Sequence, residues 1–246
     1  INTKGTGDVS AIEVVAVLPN NDSVTVTYGL APQSVDLVWE AIESYTPPFY
    51  EGKALPGEGS MIRVTAFPSF VENGIGVSPS MIAYTWSIND EIIPSLSGIG
   101  KQSLITRIDY LSDSSVIKVI ARSAGGSYAE ARVNITPNDI HPLFYRYDSI
   151  LGTDYSQNLG KRLEMTKETS VKLEPYFISQ VEGNDTGESY FWTMDGLPIT
   201  TQDPTMIVLR PKEKSAGIKT MSVLIENTKR RLQQTKAVLE VVFDTR

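Results

Sequence analysis

The chain has 246 residues, 41% of them apolar and 21% charged, with 22 basic against 29 acidic side chains and a net charge of −7. This supports packed cores in one large domain or two ordinary ones, makes nucleic acid and anionic membranes poor partners, and leaves no apolar run near the roughly 20 residues that span a bilayer. There is no cysteine and a single histidine, His141, so disulfides, thiolate chemistry and a histidine-rich zinc site are excluded.

The chain opens at Ile1 without a signal-like apolar stretch, so a secreted protein would here be in a mature or trimmed form. In chain order, "AIEVVAV" (11–17) and "SVTVTYGLAP" (23–32) alternate as strands do. They read as a strand-rich arm over 1–30. It is either the final hairpin of an earlier repeat or an extra hairpin of the first domain. A lone hairpin is marginal in water, so the arm is expected to dock on its own first domain or on the open edge of another copy.

Next come "VDLVWEA" (35–41) and the aromatic-proline segment "YTPPFYEG" (45–52), then "SMIRVTAF" (60–67), whose period of two sets Ile62, Val64 and Ala66 against Met61, Arg63, Thr65 and Phe67. "YTWSIND" (84–90) follows, and it recurs as "YFWTMDG" (190–196), with Tyr84 and Tyr190 106 residues apart. Around this pair, "VTAFPSF" (64–70) matches "VKLEPYF" (171–177), "GKAL" (52–55) matches "GKRL" (160–163), "VIKVIAR" (116–122) matches "TMSVLIE" (220–226), and "AEARVNI" (129–135) matches "TKAVLEV" (235–241). Matched segments in constant order with small shifts mark a duplicated domain whose loops have drifted.

Turn clusters such as "PGEG", "ENGIG", "AGG" and "EGNDTG" separate the strands, and no stretch carries a capped 3.6-residue period. Each repeat is thus expected to form six or seven short strands, the size of a two-sheet antiparallel sandwich. The predicted fold is all-β: two tandem immunoglobulin-like sandwiches over 31–137 and 138–246, with Trp86 and Trp192 as their core tryptophans and Asn89-Asp90 and Asp195-Gly196 as hairpin turns. The connection "TPNDIHP" carries two prolines, which favours a semi-rigid link.

The repeated Y-x-W-[ST]-x-[ND]-[DG], the Gly-rich turn "SGIGKQS" (97–103) and an A-x-V-x-I closing strand resemble tandem immunoglobulin-like or PKD-like modules of bacterial surface proteins. "VDLVWEA" followed by "YTPPFYEGKAL" is similar to secreted proteins of candidate-phyla bacteria. The resemblance covers most of the chain from about residue 30. It implies an extracellular or cell-surface location and a structural or adhesive role.

Chemistry is sparse. "SGIGKQS" lacks the first glycine and the Ser or Thr of a phosphate loop, and no G-x-S-x-G occurs. His141 sits between Pro137 and Pro142 and reads as a linker residue. "PNDIHPLF" (137–144) partly resembles the calcium-binding cadherin linker through Asn138 and Asp139, but lacks the acidic clusters that would complete six to eight oxygens. No catalytic residue, metal or cofactor is assigned.

Lys229, Arg230 and Arg231 read as a solvated basic turn. Asn21, Asn134 and Asn184 are glycosylation sequons where the host has the machinery. Tyr45, Phe49 and Tyr50 are the candidate binding residues, either an exposed stacking patch or a cover over a domain end. The expected function is a non-catalytic extracellular structural, assembly or adhesion module. It could build a homo-oligomer or filament by strand addition between copies, with carbohydrate or peptide binding through 45–52 as the alternative.

Overall fold

The computed structural model describes residues 10–19, 22–30, 32–108, 113–180, 187–211, 216–230 and 233–244. The chain divides into two compact units: Ile1–Trp39, Arg63–Ile105 and Ser114–Ile135 in unit 1, and Glu40–Ile62, Thr106–Asp113 and Thr136–Arg246 in unit 2. Among the described residues the regular structure is strand, with two short 3-10 turns and no α-helix. The architecture is all-β and almost wholly antiparallel, as the period-two patterning requires.

The N-terminal hairpin consists of β1 (Ser10–Val17) and β2 (Ser23–Leu30), which among the described residues pair only with each other. The first repeat contains β3 (Ser34–Ala41), β4 (Met61–Ser69), β5 (Val71–Glu72), β6 (Ile75–Gly76), β7 (Ala83–Ile88), β8 (Glu91–Ile92), β9 (Gly98–Ile99), β10 (Ser103–Arg107), β11 (Ser115–Arg122) and β12 (Tyr128–Ile135). The second contains β13 (His141–Asp148), β14 (Gly152–Thr153), β15 (Arg162–Met165), β16 (Thr169–Tyr176), β17 (Glu188–Met194), β18 (Leu197–Ile199), β19 (Met206–Leu209), β20 (Ala216–Asn227) and β21 (Gln234–Asp244).

The repeats share one topology. The first sets β10-β4-β3 against β12-β11-β7-β8, and the second sets β14-β13-β16-β19 against β15-β21-β20-β17-β18. Strand for strand, β3, β4, β7, β10, β11 and β12 correspond to β13, β16, β17, β19, β20 and β21. One matched pair diverges. "GKRL" leads into β15, which runs parallel to β21 from Arg162↔Glu240 to Met165↔Phe243, whereas "GKAL" forms no strand. Segment 40–62 is instead engaged within unit 2.

The inward faces follow the alternation: Ile62, Val64 and Ala66 on β4 are fully buried, as are Ile117, Val119 and Ala121 on β11. In unit 2 one core joins both sheets, with Val171, Leu173 and Ile207 facing Trp192, Val223, Ile225, Leu239 and Val241.

The duplicated motif repeats its hydrogen bonds. Trp86 and Trp192 are buried, and each donates its indole N–H over 2.8 Å to a carbonyl, Lys101 or Pro204. Each acceptor lies two residues before the edge strand of the opposite sheet, β10 or β19. The next carbonyl accepts a backbone N–H in both repeats, Ala66 to Gln102 at 3.0 Å and Leu173 to Thr205 at 2.8 Å.

The motif's end is equally constrained. Asn89 (φ 50°) and Asp90 (φ 67°), like Asp195 (φ 50°) and Gly196 (φ 80°), are two-residue hairpin loops with both residues left-handed, the type I′ geometry that favours Asn, Asp and Gly. Asn89 Oδ1 accepts the Val116 N–H and Asp195 Oδ1 the Thr220 N–H, each at 2.9 Å.

Trp86→Ala and Trp192→Ala should each cost about 3–5 kcal/mol, as large aromatic truncations in a core do. The Phe variants should cost about 1–3 kcal/mol, because the buried carbonyl loses its donor. Chemical denaturation of the four variants measures this; an unchanged midpoint for either Ala variant would remove that tryptophan from the core.

Candidate functional site

Unit 2 concentrates the buried polar side chains, and segment 40–62 supplies Glu43, Tyr45, Glu58 and Ser60 among their partners. Arg230 is buried, and its Nη2 donates to Glu43 at 2.8 Å (Oε1) and 2.6 Å (Oε2). The Arg230 backbone N–H is held by Asn227 Oδ1 at 3.1 Å, which fixes the turn that aims the guanidinium. This corrects the expectation of a solvated basic turn over 229–231: Arg230 is drawn inward because a carboxylate 187 positions away needs a counter-charge. Arg231 lies outside the described residues.

Beside this pair, Gln233 is saturated. Its Nε2 donates to Glu58 O at 2.7 Å, Ser179 Oγ at 2.8 Å and Ser60 Oγ at 3.2 Å, while its Oε1 accepts from Ser179 N at 2.9 Å and Asn227 Nδ2 at 3.2 Å. Ser60 and Ser179 join Oγ to Oγ at 2.6 Å. Gly57 explains its own identity here, since a Cβ would stand 2.8 Å from Gln233 Nε2. Buried polar groups are tolerated only when satisfied, and this cluster meets that condition with a single orphan, Arg230 Nε.

The candidate residues Tyr45, Phe49 and Tyr50 take three different roles. Tyr45 is half-buried; its hydroxyl donates to Glu174, and its backbone exchanges 2.8 Å bonds with Ile178 O and Phe177 N. Tyr50 packs edge-on against Tyr176 and Phe177, with centroids 5.5 and 6.0 Å away. Phe49 is 91% exposed and holds a left-handed φ of 66°, an uncommon conformation for a bulky aromatic. The structure therefore does not gather the three rings into one exposed platform.

Glu174 is the hub that sequence reading missed. It is 2% exposed and also accepts the Tyr155 hydroxyl at 2.7 Å. Tyr155 packs on Tyr145 at 5.3 Å, and the Tyr145 and Tyr176 hydroxyls share a 2.8 Å bond. Burial, followed by the bond to Glu174, pushes the Tyr155 phenol up to about 12. Tyr45 and Tyr190 are raised by burial and then by their bonds to Glu174 and Glu188, and Tyr176 by burial and its bond to Tyr145. No local signal marked it: in "VKLEPYF" Glu174 falls on the polar side of a regular alternation, with Lys172 and Tyr176, and only its tyrosine partners bury it.

An open hollow of about 870 Å³ in unit 2 is lined by Phe49, Tyr147, Leu151 and Tyr155, with Arg146, Asp154 and Lys167 among its polar groups. Leu151 is 87% exposed and Ile150, beside it in the same turn, 91%. That turn is shaped by Asp148 Oδ1, which accepts the N–H groups of Ile150 and Leu151 at 2.8 and 3.0 Å. These bonds hold the Asp148 carboxyl below its usual value.

His141 Nδ1 lies 2.8 Å from Asp139 O, and the ring stands edge-on to Phe177 at 5.8 Å. Asn138 bonds Thr136 O through Nδ2 and Pro56 O through its backbone. Among the described residues no group of three or more His, Cys, Asp or Glu gathers as a metal cluster, and no helix is long and apolar enough to cross a membrane. Asn134 is exposed on β12; Asn21 and Asn184 lie outside the described residues.

No family model and no curated protein matches the chain. Among solved structures, three N-terminal domains of the bacteriophage RB49 highly immunogenic outer capsid protein share 12% identity at a TM-score of 0.44, covering 86% of this chain, which spans 59% of theirs. The fibronectin(III)-like modules of Clostridium thermocellum CbhA share 12% at 0.27, covering 78% of this chain and 91% of theirs. Sidekick-1 immunoglobulin domains 1–5 share 11% at 0.29, covering 98% of this chain and 48% of theirs.

Two outcomes follow from these contacts. Glu43→Ala should destabilise unit 2 by about 3 kcal/mol, because it strands the buried Arg230 guanidinium, and Glu43→Leu combined with Arg230→Met should recover most of the loss. A double-mutant cycle in denaturant measures both.

Tyr45, Tyr155, Tyr176 and Tyr190 set an alkaline limit. Their folded pKa values lie above the ordinary 10, so their stabilisation is whole below pH 10 and is lost as pH rises toward 12, where unfolded phenols ionise first. Tyrosinate absorbance should show a late-titrating class that Tyr155→Phe diminishes; titration of every tyrosine near pH 10 in the folded chain would contradict the network.

Proposed function

We propose that the chain is a non-catalytic extracellular module, a structural spacer that carries an adhesive surface built on Phe49 and Leu151, with Ile150 beside them. The observation that carries this reading is the exposure of Phe49 and Leu151 in the lining of one hollow in unit 2, with exposed Ile150 next to Leu151 in its turn. Isolated exposed apolar residues are ordinary, but a cluster on loops held by specific bonds marks a place where a partner supplies the burial. The left-handed Phe49 supports the same point, since strained conformations persist where surrounding structure imposes them and concentrate at contact sites.

The polar groups support a structural rather than a chemical role. Glu43, Glu174, Arg230 and Gln233 are engaged in internal bonds, and His141 turns to a backbone oxygen. The resemblance of the repeated tryptophan motif to bacterial surface modules supports the extracellular location. The finer reading is recognition of a peptide or glycan, with Phe49 stacking on the ligand and the neighbouring Arg146, Asp154 and Lys167 fixing its orientation.

Wild type, Phe49→Ala and Leu151→Ser should be compared on a glycan array and a displayed-peptide library. Binding by wild type that falls tenfold or more in both variants, with unchanged thermal midpoints, is the expected result. Binding that survives both substitutions would move the adhesive surface elsewhere. No binding on either platform would leave the spacer role without the adhesive one.

A further inference from the structure

The hairpin β1–β2 carries an apolar face that is largely exposed among the described residues. Its two strands pair only with each other among the described residues, and Val14 and Val26, opposite one another on that face, are 50% and 43% exposed. Burial of such side chains is a main source of stability, and an isolated two-stranded sheet is marginal in water. The identity of what covers this face can be read inside the same chain.

The hairpin β11–β12 has the same dimensions. Each pairs eight residues with eight, Ser10–Val17 with Ser23–Leu30 and Ser115–Arg122 with Tyr128–Ile135. Both connections are five residues long and close with the same bond, Leu18 N–H to Asp22 O at 2.7 Å and Ser123 N–H to Ser127 O at 3.0 Å. At a constant offset of 105, "SAIEVVAV" lies on "SVIKVIAR", with Ser10, Ile12, Val14 and Ala16 repeating Ser115, Ile117, Val119 and Ala121, and Pro32 falls on Pro137.

In β11 those four positions form the buried face, and its Ile117, Val119 and Ala121 meet no solvent. The free edge of β11 is taken by β7, with Val119 opposite Trp86; in the second repeat Val223 stands opposite Trp192.

We infer that β1–β2 is the closing hairpin of one more sandwich of the same kind, and that its apolar face and the open edge of β1 receive the first four principal strands of that repeat, the part equivalent to residues 34–114 with β3, β4, β7 and β10, from upstream in the same polypeptide. A second copy of the chain fits less well. Both of its repeats already possess their own closing hairpins, so it offers sandwich edges but no half-sandwich with a vacant place. The interface that β1–β2 makes is therefore a domain core, and growth of a filament by strand addition at residues 10–30 is the competing outcome.

The inference fixes a position in the gene. In the two repeats the core tryptophan precedes the residue equivalent to Ser10, Ser115 or Lys219, by 29 and 27 positions. The open reading frame should therefore place a Tyr-x-Trp-Ser/Thr motif with its tryptophan about 27–29 residues ahead of Ser10. A reading frame that starts, or is cleaved after a signal peptide, inside that interval would overturn the proposal, as would an upstream segment without the motif.

Amide exchange provides the second measurement. In the 246-residue chain the β1 amides should exchange about 100-fold or more faster than those of β11, and extension of the chain through the upstream repeat should bring them to the β11 rate. Concentration-dependent protection of β1 in the unextended chain would instead identify a second copy as the occupant. Concentration-independent protection in the monomer would mean that the hairpin docks on its own unit. Either result overturns the inference.

Discussion

The fold turns on one indole hydrogen bond per repeat. A tryptophan in the centre of a sandwich is large enough to touch both sheets, but its N–H must find an acceptor or cost the core a buried unsatisfied donor. Trp86 and Trp192 meet this requirement identically, by reaching across to the carbonyl two residues ahead of the opposite sheet's edge strand. That choice fixes the entry of β10 and β19. It also lets the following carbonyl, Gln102 or Thr205, bind the middle of β4 or β16. The register of each sandwich is thereby set from its centre, and the loops beyond are free to vary.

That freedom is where unit 2 acquires its own character. Segment 40–62 is rich in glycine and proline, and few of its backbone groups join a ladder, so side chains take over the work of holding it. A buried ion pair and a saturated glutamine are weak sources of net stability compared with apolar packing, but they are demanding about geometry. Glu43 and Gln233 admit few alternative placements of residues 43–60. Tyr45 and Tyr155, converging on Glu174, impose the same constraint on the aromatic side. With the polar groups committed in this way, Phe49, Ile150 and Leu151 are left projecting from a firmly held base. Such a base would limit the entropy lost on binding at the adhesive surface proposed above.

The exposed hairpin β1–β2 obeys the same logic in reverse. Its alternation is that of a core element: in β11 the matching positions Ile117, Val119 and Ala121 are fully buried. The difference between the two lies in what packs against them, which shows how little of a strand's environment is a property of the strand.

The sequence by itself determined the strand faces, the duplication and the turn chemistry, because each depends on neighbours within a few residues. Alternation places Ile62, Val64 and Ala66 on one side, and an Asn-Asp or Asp-Gly pair accepts the two left-handed conformations a tight hairpin needs. The motif that announced the repeat proved to be a set of local instructions with a single long-range member, the tryptophan. The tertiary structure alone decided the pairings across long separations. Nothing in "NTKRRLQQ" distinguishes a buried Arg230 from a solvated one until Glu43 is brought beside it, and nothing in "VKLEPYF" shows that Glu174 will be held by two tyrosines. Likewise "YTPPFYEG" names three aromatic rings of similar character, and only the packing turns Tyr45 inward, lays Tyr50 on Tyr176 and leaves Phe49 in solvent. Periodicity encodes which face a side chain occupies; the partner that face will meet is encoded by no local pattern, because it is supplied by chain closure over more than a hundred residues.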